Sequence, residues 1–303
     1  MNEPIRQHTV PICYLRRFSS NGSQVNEFRS SKGQWITNSL KNASVQKHMY
    51  TMIDEGGKDY CVEYALSDLE TKANPVLHKV DSMGLIGISE DDRRVLADFI
   101  TVQHYRTKRM RKFSDVSLSG YQDPQAKMKF LEESLEQLRE AYSDAEIEDY
   151  RQRISDNDEP IDNSEFYLRS IMFSVSPRVR DCIFQMHWRT ETSRQAHPTG
   201  FVSSDVPFAI RTPGKLFEKR HVRLAEAAAE FYFPISTRTM LIGSNNRKKN
   251  SRKRVTHSRV DELNKVTLVN HDCSLYSASC HDSIELILNS LNGFRVPDME
   301  SPF

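Results

Sequence analysis

Five polar residues of this chain fall where polar groups are costly, and between them they supply a base, carboxylates and a cation. His8 stands three residues before Pro11, which leads into the amphipathic turn Tyr14-Leu15-Arg16-Arg17-Phe18. Proline suits the first turn of a helix, where its missing N–H has no bond to lose. His8 is therefore expected at a helix entrance, where the macrodipole disfavours the imidazolium, as either a reactive group or a cap. Further on, Val95, Phe99, Val102, Met110 and Phe113 share one face at about 100° per residue. Arg106 lies in the middle of that arc and Gln103 close to its edge. A guanidinium in an apolar stripe needs a buried carboxylate, an anionic substrate group or a snorkelling route to water.

The preceding helix offers a carboxylate. Glu63 and Glu70 are seven residues apart, nearly superimposed down the helix axis. Their separation along it is about 10 Å, too far for one ion to be held directly by both without bending. Glu63 reads as a solvated edge. Glu70 lies nearer the apolar arc and is the stronger candidate. Ser204-Asp205-Val206-Pro207 follows a short apolar strand. An Asp there is either a catalytic carboxylate at a sheet rim or an ordinary turn former.

If these residues converge, His8, Glu70 and Asp205 are the catalytic candidates, and Gln103, Arg106 and Ser204 bind substrate. His8 acts as base or metal ligand, the carboxylates position a divalent cation or a water, and Arg106 neutralises a phosphate or carboxylate. That chemistry suits a phosphate-directed hydrolase such as a nuclease. The competing reading is a non-catalytic module that binds a protein or nucleic acid. In it Glu70, Gln103 and Arg106 fix helix register, and the Glu- and Leu-rich stretch Lys127–Arg153 is the contact surface. A concave opening lined by these residues speaks for the enzyme; full burial and mutual bonding speak for the module.

A second chemistry is electrostatic. Arg247, Lys248, Lys249, Arg252, Lys253 and Arg254 are six basic residues within eight. No aromatic residue interrupts them, so base stacking is not indicated. A basic loop of this kind grips a phosphate backbone without sequence preference, or is simply solvated. Nucleic acid is the partner it implies.

The motif Gln7-His8-x-x-Pro11-x-x-Tyr14-Leu15-x-x-Phe18 resembles the opening of the domain-of-unknown-function 4238 family. Similar to that family are also Lys41-Asn42 with Tyr50, the helix carrying Glu63 and Glu70, Phe201 to Pro207, and Phe233-Pro234-Ile235-Ser236. The resemblance implies an architecture and a set of positions, the Ser-Asp-x-Pro motif among them. It does not imply a reaction.

These residues need elements to hold them. At 303 residues with 38% hydrophobic content and 15 Phe, the chain is long enough for a packed core. A net charge of +1 gives no global field towards nucleic acid or membrane. The five cysteines show no Cys-x-x-Cys pair, which argues against a zinc ribbon or redox dithiol and for reduced thiols in the cytoplasm. No leader-like or membrane-length apolar run is visible, so no membrane partner is expected; the oligomeric state is left open. Walker A, dinucleotide, Gly-x-Ser-x-Gly and His-Glu-x-x-His motifs are absent from the sequence.

Two strands, Gln24–Arg29 and Gln34–Asn38, read as a hairpin across Ser30-Ser31-Lys32-Gly33. A helix is expected from about Lys58 to Met83, kinked at Pro75 and ended by Gly84. Ser89-Glu90-Asp91-Asp92 reads as a capping-box start for the next helix. Helix is also expected over Lys127–Arg153 and, distorted at Pro177, over Ser164–Gln185. Strands follow at Arg189–Thr192, Gly200–Val202, Phe208–Arg211, Glu230–Phe233, Thr239–Ile242 and Leu275–Ser279, with helices near Ser258–Val269 and His281–Leu291. The expected fold is a single α+β domain over residues 1–303. Its middle is mostly helical, with an insertion at about 120–160. A mixed or antiparallel sheet is built from the C-terminal part and the N-terminal hairpin.

Overall fold

The computed structural model describes residues 5–54, 57–112, 176–193, 197–215, 224–246 and 252–280, with 148, 168, 284, 285 and 288. The expected insertion, the stretch Lys127–Arg153 apart from residue 148, and Arg247, Lys248 and Lys249 lie outside these residues. The chain starts with β1 (Arg6–His8), the short α1 (Ile12–Leu15) and a 3-10 turn at Arg16–Phe18. Strands β2 (Gln24–Arg29), β3 (Gln34–Ser39), β4 (Val45–Lys47), β5 (Met52–Asp54) and β6 (Gly57–Asp59) follow. Then come α2 (Cys61–Met83), α3 (Glu90–Tyr105) and α4 (Ser176–Gln185). The C-terminal part holds β7 (His187–Ser193), β8 (Ser203–Ser204), β9 (Ala209–Arg211), β10 (Glu230–Pro234), β11 (Thr239–Ser244), β12 (Arg252–Val255), α5 (His257–Asn270) and β13 (Ser274–Ser277). Among the described residues, no helix is long and apolar enough to cross a membrane.

The fold is α+β, with two main sheets rather than one. The larger has the order β12-β7-β11-β10-β9, antiparallel except for the parallel β12–β7 pair. The smaller is antiparallel, order β3-β2-β13-β8, and here the N-terminal hairpin does join the C-terminal part. β1 pairs with β4, Gln7 opposite Gln46.

The period-two alternation of a strand divides the large sheet between two helical layers. Phe231, Phe233, Leu241 and Trp188 enter the main core with α2, α3 and α4. Tyr232, Met240 and Ile242 face the other way and pack with Val260, Leu263 and Val266 of α5. Both faces being covered, β10 and β11 are buried throughout, as their unbroken apolar runs require. The two strands meet so closely that Gly243 lies opposite Phe231, and a Cβ on it would stand 1.9 Å from Phe231 Cε1. Gly243→Ala therefore forces the ring out of its place and is expected to lower stability by about 1–3 kcal/mol, read by urea unfolding.

Several boundaries move for identifiable reasons. The helix expected from Lys58 starts at Cys61, because residues 57–59 pair with β5 as a short hairpin. Cys61 is exposed there. α2 continues through Pro75 and ends at Gly84, whose φ of 71° closes it. The capping box is present: Ser89 Oγ accepts from the Asp92 N–H, and the Asp92 carboxylate accepts from the Ser89 N–H. α3 does not extend to Met110 as a single helix, and Phe113 lies outside the described residues. The helix ends at Tyr105, and Thr107 restarts the helical path over 108–112 by accepting the Met110 N–H at 3.2 Å. Met110 nevertheless packs into the main core with Phe99 and Val95. Pro177 stands in the first turn of α4. His187 opens strand β7, not a helix. The strand expected at Gly200–Val202 sits one step later, at Ser203–Ser204.

Candidate functional site

The site is built around Arg106, which caps the C-terminal end of α3 and whose side chain is 3% exposed. Nη1 donates to Glu70 Oε1 of α2 at 2.7 Å, and Nη2 donates to the His8 carbonyl of β1. One guanidinium thereby ties two helices to the first strand. Its own carbonyl accepts from the Tyr50 hydroxyl at 2.7 Å, and its Cζ stands 5.4 Å from the Tyr50 ring centroid. Burial alone would lower its pKa, but the Tyr50 and Glu70 partners more than reverse that, so Arg106 is a fixed cation.

Gln103, one turn earlier and buried, donates from Nε2 to the Thr9 carbonyl at 2.9 Å. Gln7 is equally buried: it accepts the Tyr50 N–H at 2.6 Å and donates to Thr51 Oγ1 at 3.1 Å. These amides fasten β1 and the segment after it to α3 and to the β4–β5 connection. His8 is carried by that strand and is half-buried. It does not stand at a helix entrance: it pairs with Val45, and Pro11 is the residue preceding the four-residue α1. Its pKa is lowered chiefly by burial, against the opposing pull of Glu70 and of a hydrogen bond to the Lys41 backbone. The expected direction holds, with desolvation as its cause in place of the helix dipole. His8 Nε2 is buried without a hydrogen-bond partner among the described residues.

The residue that sequence reasoning underrated is Glu63. It is half-buried, and its Oε2 has no hydrogen-bond partner among the described residues. Burial pushes its carboxyl up to about 7, with Glu70 adding to the rise and Arg106 opposing it. Its spacing from Glu70 was the available signal; the Tyr50 ring, which neighbours it from 13 residues upstream, is what the helix pattern alone does not contain. Cys13 lies close by, its thiol pushed up to about 11 by burial and by Glu70, hence protonated and poorly nucleophilic.

Ser204 and Asp205 sit elsewhere in the hydrogen-bond network. Asp205 Oδ1 and Oδ2 accept the N–H groups of Asp272 and Cys273 at 3.0 and 2.7 Å, bracing the turn before β13. Ser204 Oγ accepts the Val206 N–H at 3.1 Å, and Ser204 pairs with Leu275. None of these partners belongs to the Arg106 cluster. So His8, Glu70, Gln103 and Arg106 are brought together, while Ser204 and Asp205 work as a turn clamp. Asp205, Asp272 and Cys273 are also the one described group of three potential ligands whose atoms lie within 4.8 Å of one another. His8, Glu63 and Glu70 do not meet that closely, so the cation expected beside His8 has no ready ligand set there. Of the basic run, Arg252, Lys253 and Arg254 form an exposed edge strand beside β7 rather than a loop.

A family model described as a protein of unknown function (DUF4238) matches residues 6–279. The chain belongs to that family. No curated protein and no solved structure matches it. The motifs read as shared with DUF4238 map onto one interlocked frame in this chain. Tyr14 OH donates to the Pro234 carbonyl at 2.7 Å and lies 3.0 Å from Ser203 Oγ. Arg17 donates to the carbonyls of Ile235 and Leu77 at 2.9 and 2.7 Å. Ser236 Oγ donates to Asp81 at 2.6 Å. Arg6 donates to Asn42 Oδ1 at 2.7 Å. The opening motif, the Phe-Pro-Ile-Ser motif and α2 are thus bolted to one another, and His8 rides on that frame.

Proposed function

We propose that this DUF4238 chain is a phosphate-directed hydrolase, a nuclease that cleaves RNA by general acid–base catalysis at His8 and Glu63. One observation carries the reading: a neutral imidazole and a carboxyl raised to about 7 share Arg106 and Glu70 as neighbours, and each keeps a buried polar atom without a partner among the described residues. Titratable groups with opposite protonation states near neutrality make an acid–base pair. RNA supplies its own nucleophile, so no metal-bound water is needed. His8 takes the proton of the 2′-hydroxyl, the 2′-oxygen forms its bond to phosphorus, and the bond to the 5′-oxygen breaks. Glu63 gives its proton to that leaving oxygen, and a 2′,3′-cyclic phosphate remains. Arg106 and Glu70 are positioning residues; Gln103 fixes the strand that carries His8. The basic edge strand Arg252–Arg254 is the surface offered to the polynucleotide backbone. Five free cysteines, three of them exposed, suit the reducing cytoplasm as its place of action.

The test is a cleavage assay on RNA and DNA of the same sequence in excess EDTA. RNA is expected to be cut to cyclic-phosphate ends and DNA to be left intact. Cleavage that disappears with EDTA, or that DNA shares, overturns the mechanism. The burial of Gln103 and Arg106, one bonded to the Thr9 carbonyl and the other to Glu70, favours the alternative, a binding module with a structural network. RNA bound with a salt-dependent affinity but never cut would establish that alternative.

A further inference from the structure

Beyond the end of α3, two guanidinia without a carboxylate partner among the described residues meet at the C-terminal end of α5. Arg211, at the end of β9, is 9% exposed. Its Nη1 donates to the Ile210 carbonyl at 2.6 Å and its Nη2 to Asn270 Oδ1 at 3.4 Å, while Nε is buried without a partner among the described residues. Three other guanidinia of the interior are matched by acids: Arg106 by Glu70, Arg189 by Glu230, and Arg259 by Glu191. Beside Arg211 stands a second cation, Arg109, whose Nη2 donates to the carbonyls of Asn270 and His271 at 2.8 and 3.0 Å. Arg109 too has no ion pair among the described residues.

Asn270 is the hinge of this arrangement. It is buried, and its Nδ2 is clamped by the carbonyls of Val206 and Phe208 at 2.8 and 2.9 Å. Its Oδ1 then faces Arg211 and its carbonyl faces Arg109, so both guanidinia are aligned by one rigid residue at the C-terminal end of α5. Among the described residues no carboxylate pairs with either guanidinium: Glu230, opposite Arg211 in the β9–β10 register, accepts instead from Arg189 and the Tyr232 hydroxyl. His104, buried with both ring nitrogens unpartnered among the described residues, packs against Tyr105 and Phe208. Burial first and Arg109 second push it down to about 4, so it is neutral. Burial first and Arg109 second likewise push Arg211 down to about 10. Asp205 and Asp272 act on His271, and Asp205 commits its carboxylate to the N–H groups of Asp272 and Cys273. Lys108 and Lys112 are exposed at the approach.

A buried pair of like charges is unfavourable unless something negative joins it. The α5 carbonyls supply only partial negative charge. Two guanidinia presenting forked donors match a tetrahedral oxyanion better than a planar apolar group or a cation. We propose that Arg109 and Arg211, aligned by Asn270, form a binding site for a phosphate-type oxyanion. The site is separate from the His8 centre and stands whether or not that centre cuts RNA.

The test uses the full chain and inorganic phosphate against potassium chloride of equal ionic strength. At tenfold over half-saturation, phosphate is expected to raise Tm by about 2 °C. Arg211→Gln and Arg109→Gln are each expected to weaken phosphate binding at least about tenfold by calorimetry, while Lys32→Gln, in the exposed β2–β3 turn, binds as the wild type does. Without phosphate, Arg211→Gln is expected to be as stable as the wild type or more so, since it removes an uncompensated charge. A wild type that responds to phosphate no more than to chloride, or Arg variants that respond equally, overturns the site. Should Arg211→Gln fail to fold, the half-buried Arg109→Gln decides the same question. A short single-stranded oligonucleotide in place of phosphate separates the sources: tighter binding identifies a polynucleotide backbone, equal or weaker binding a free phosphate or phosphomonoester.

Discussion

Arg106→Ala is expected to lower folding stability by about 3–5 kcal/mol, measured by urea unfolding. The size follows from what the guanidinium leaves behind. Glu70 Oε1 loses its 2.7 Å partner, the His8 carbonyl loses a charged donor, and the space against the Tyr50 ring empties. Breaking a buried pair from one side costs more than the pair contributes, because the surviving charge stays desolvated. Arg106→Lys restores little. One ammonium on a flexible stem does not reach Glu70 and the His8 carbonyl in the fixed fork that Arg106 presents. Adding Glu70→Gln to Arg106→Ala is expected to recover part of the loss, since no bare carboxylate then remains. Near-zero coupling in that double-mutant cycle, or a loss below about 1 kcal/mol for Arg106→Ala, would mean that the guanidinium does not hold β1 to the helices.

How much of this network is legible in the sequence depends on the length scale of each interaction. Local signals are legible. The Ser89–Asp92 capping box, the Gly84 stop and the apolar runs of β10 and β11 rest on neighbours within a few residues, and they form where the sequence places them. Arg106 stands out because its charge conflicts with its surroundings, and Glu70 is found as its partner although α3 ends one residue before it. The helix behind the arc that singled it out is interrupted at Thr107, yet Met110 still reaches the core that holds Phe99, Val95 and Val102. Glu63 is hidden, because its burial comes from outside its helix. Arg109 and Arg211 are 102 residues apart, and only the α5 terminus brings them to Asn270. Arg252–Arg254 read as a loop because their composition is polar. Edge pairing with β7 makes them a strand, since an edge strand leaves its side chains and one row of peptide groups to solvent.

Glu63→Gln is expected to cut the RNA-cleavage rate by about 10²–10⁴-fold near neutral pH, because it deletes the proton donor and keeps the shape. His8→Ala is expected to do the same by deleting the base. The pH profile tells the two roles apart. In the wild type His8 must be neutral, which sets an ascending limb below its ordinary value of 6.5. Glu63 must be protonated, which sets a descending limb near 7. The residual activity of Glu63→Gln should keep the ascending limb and lose the descending one. Stability gives an independent check with a determined sign. A carboxyl raised from 4.5 to about 7 favours the fold while it is neutral, so its contribution is fully present below 4.5 and is lost as pH rises through 7. The amide of the Glu63→Gln variant does not titrate and carries no such loss. The stability of Glu63→Gln relative to wild type should therefore grow by about 1–2 kcal/mol between about pH 4 and pH 8, solvent screening included. A flat difference across that range would show that Glu63 titrates as an ordinary surface carboxylate. With it would go the acid on which the cleavage step depends.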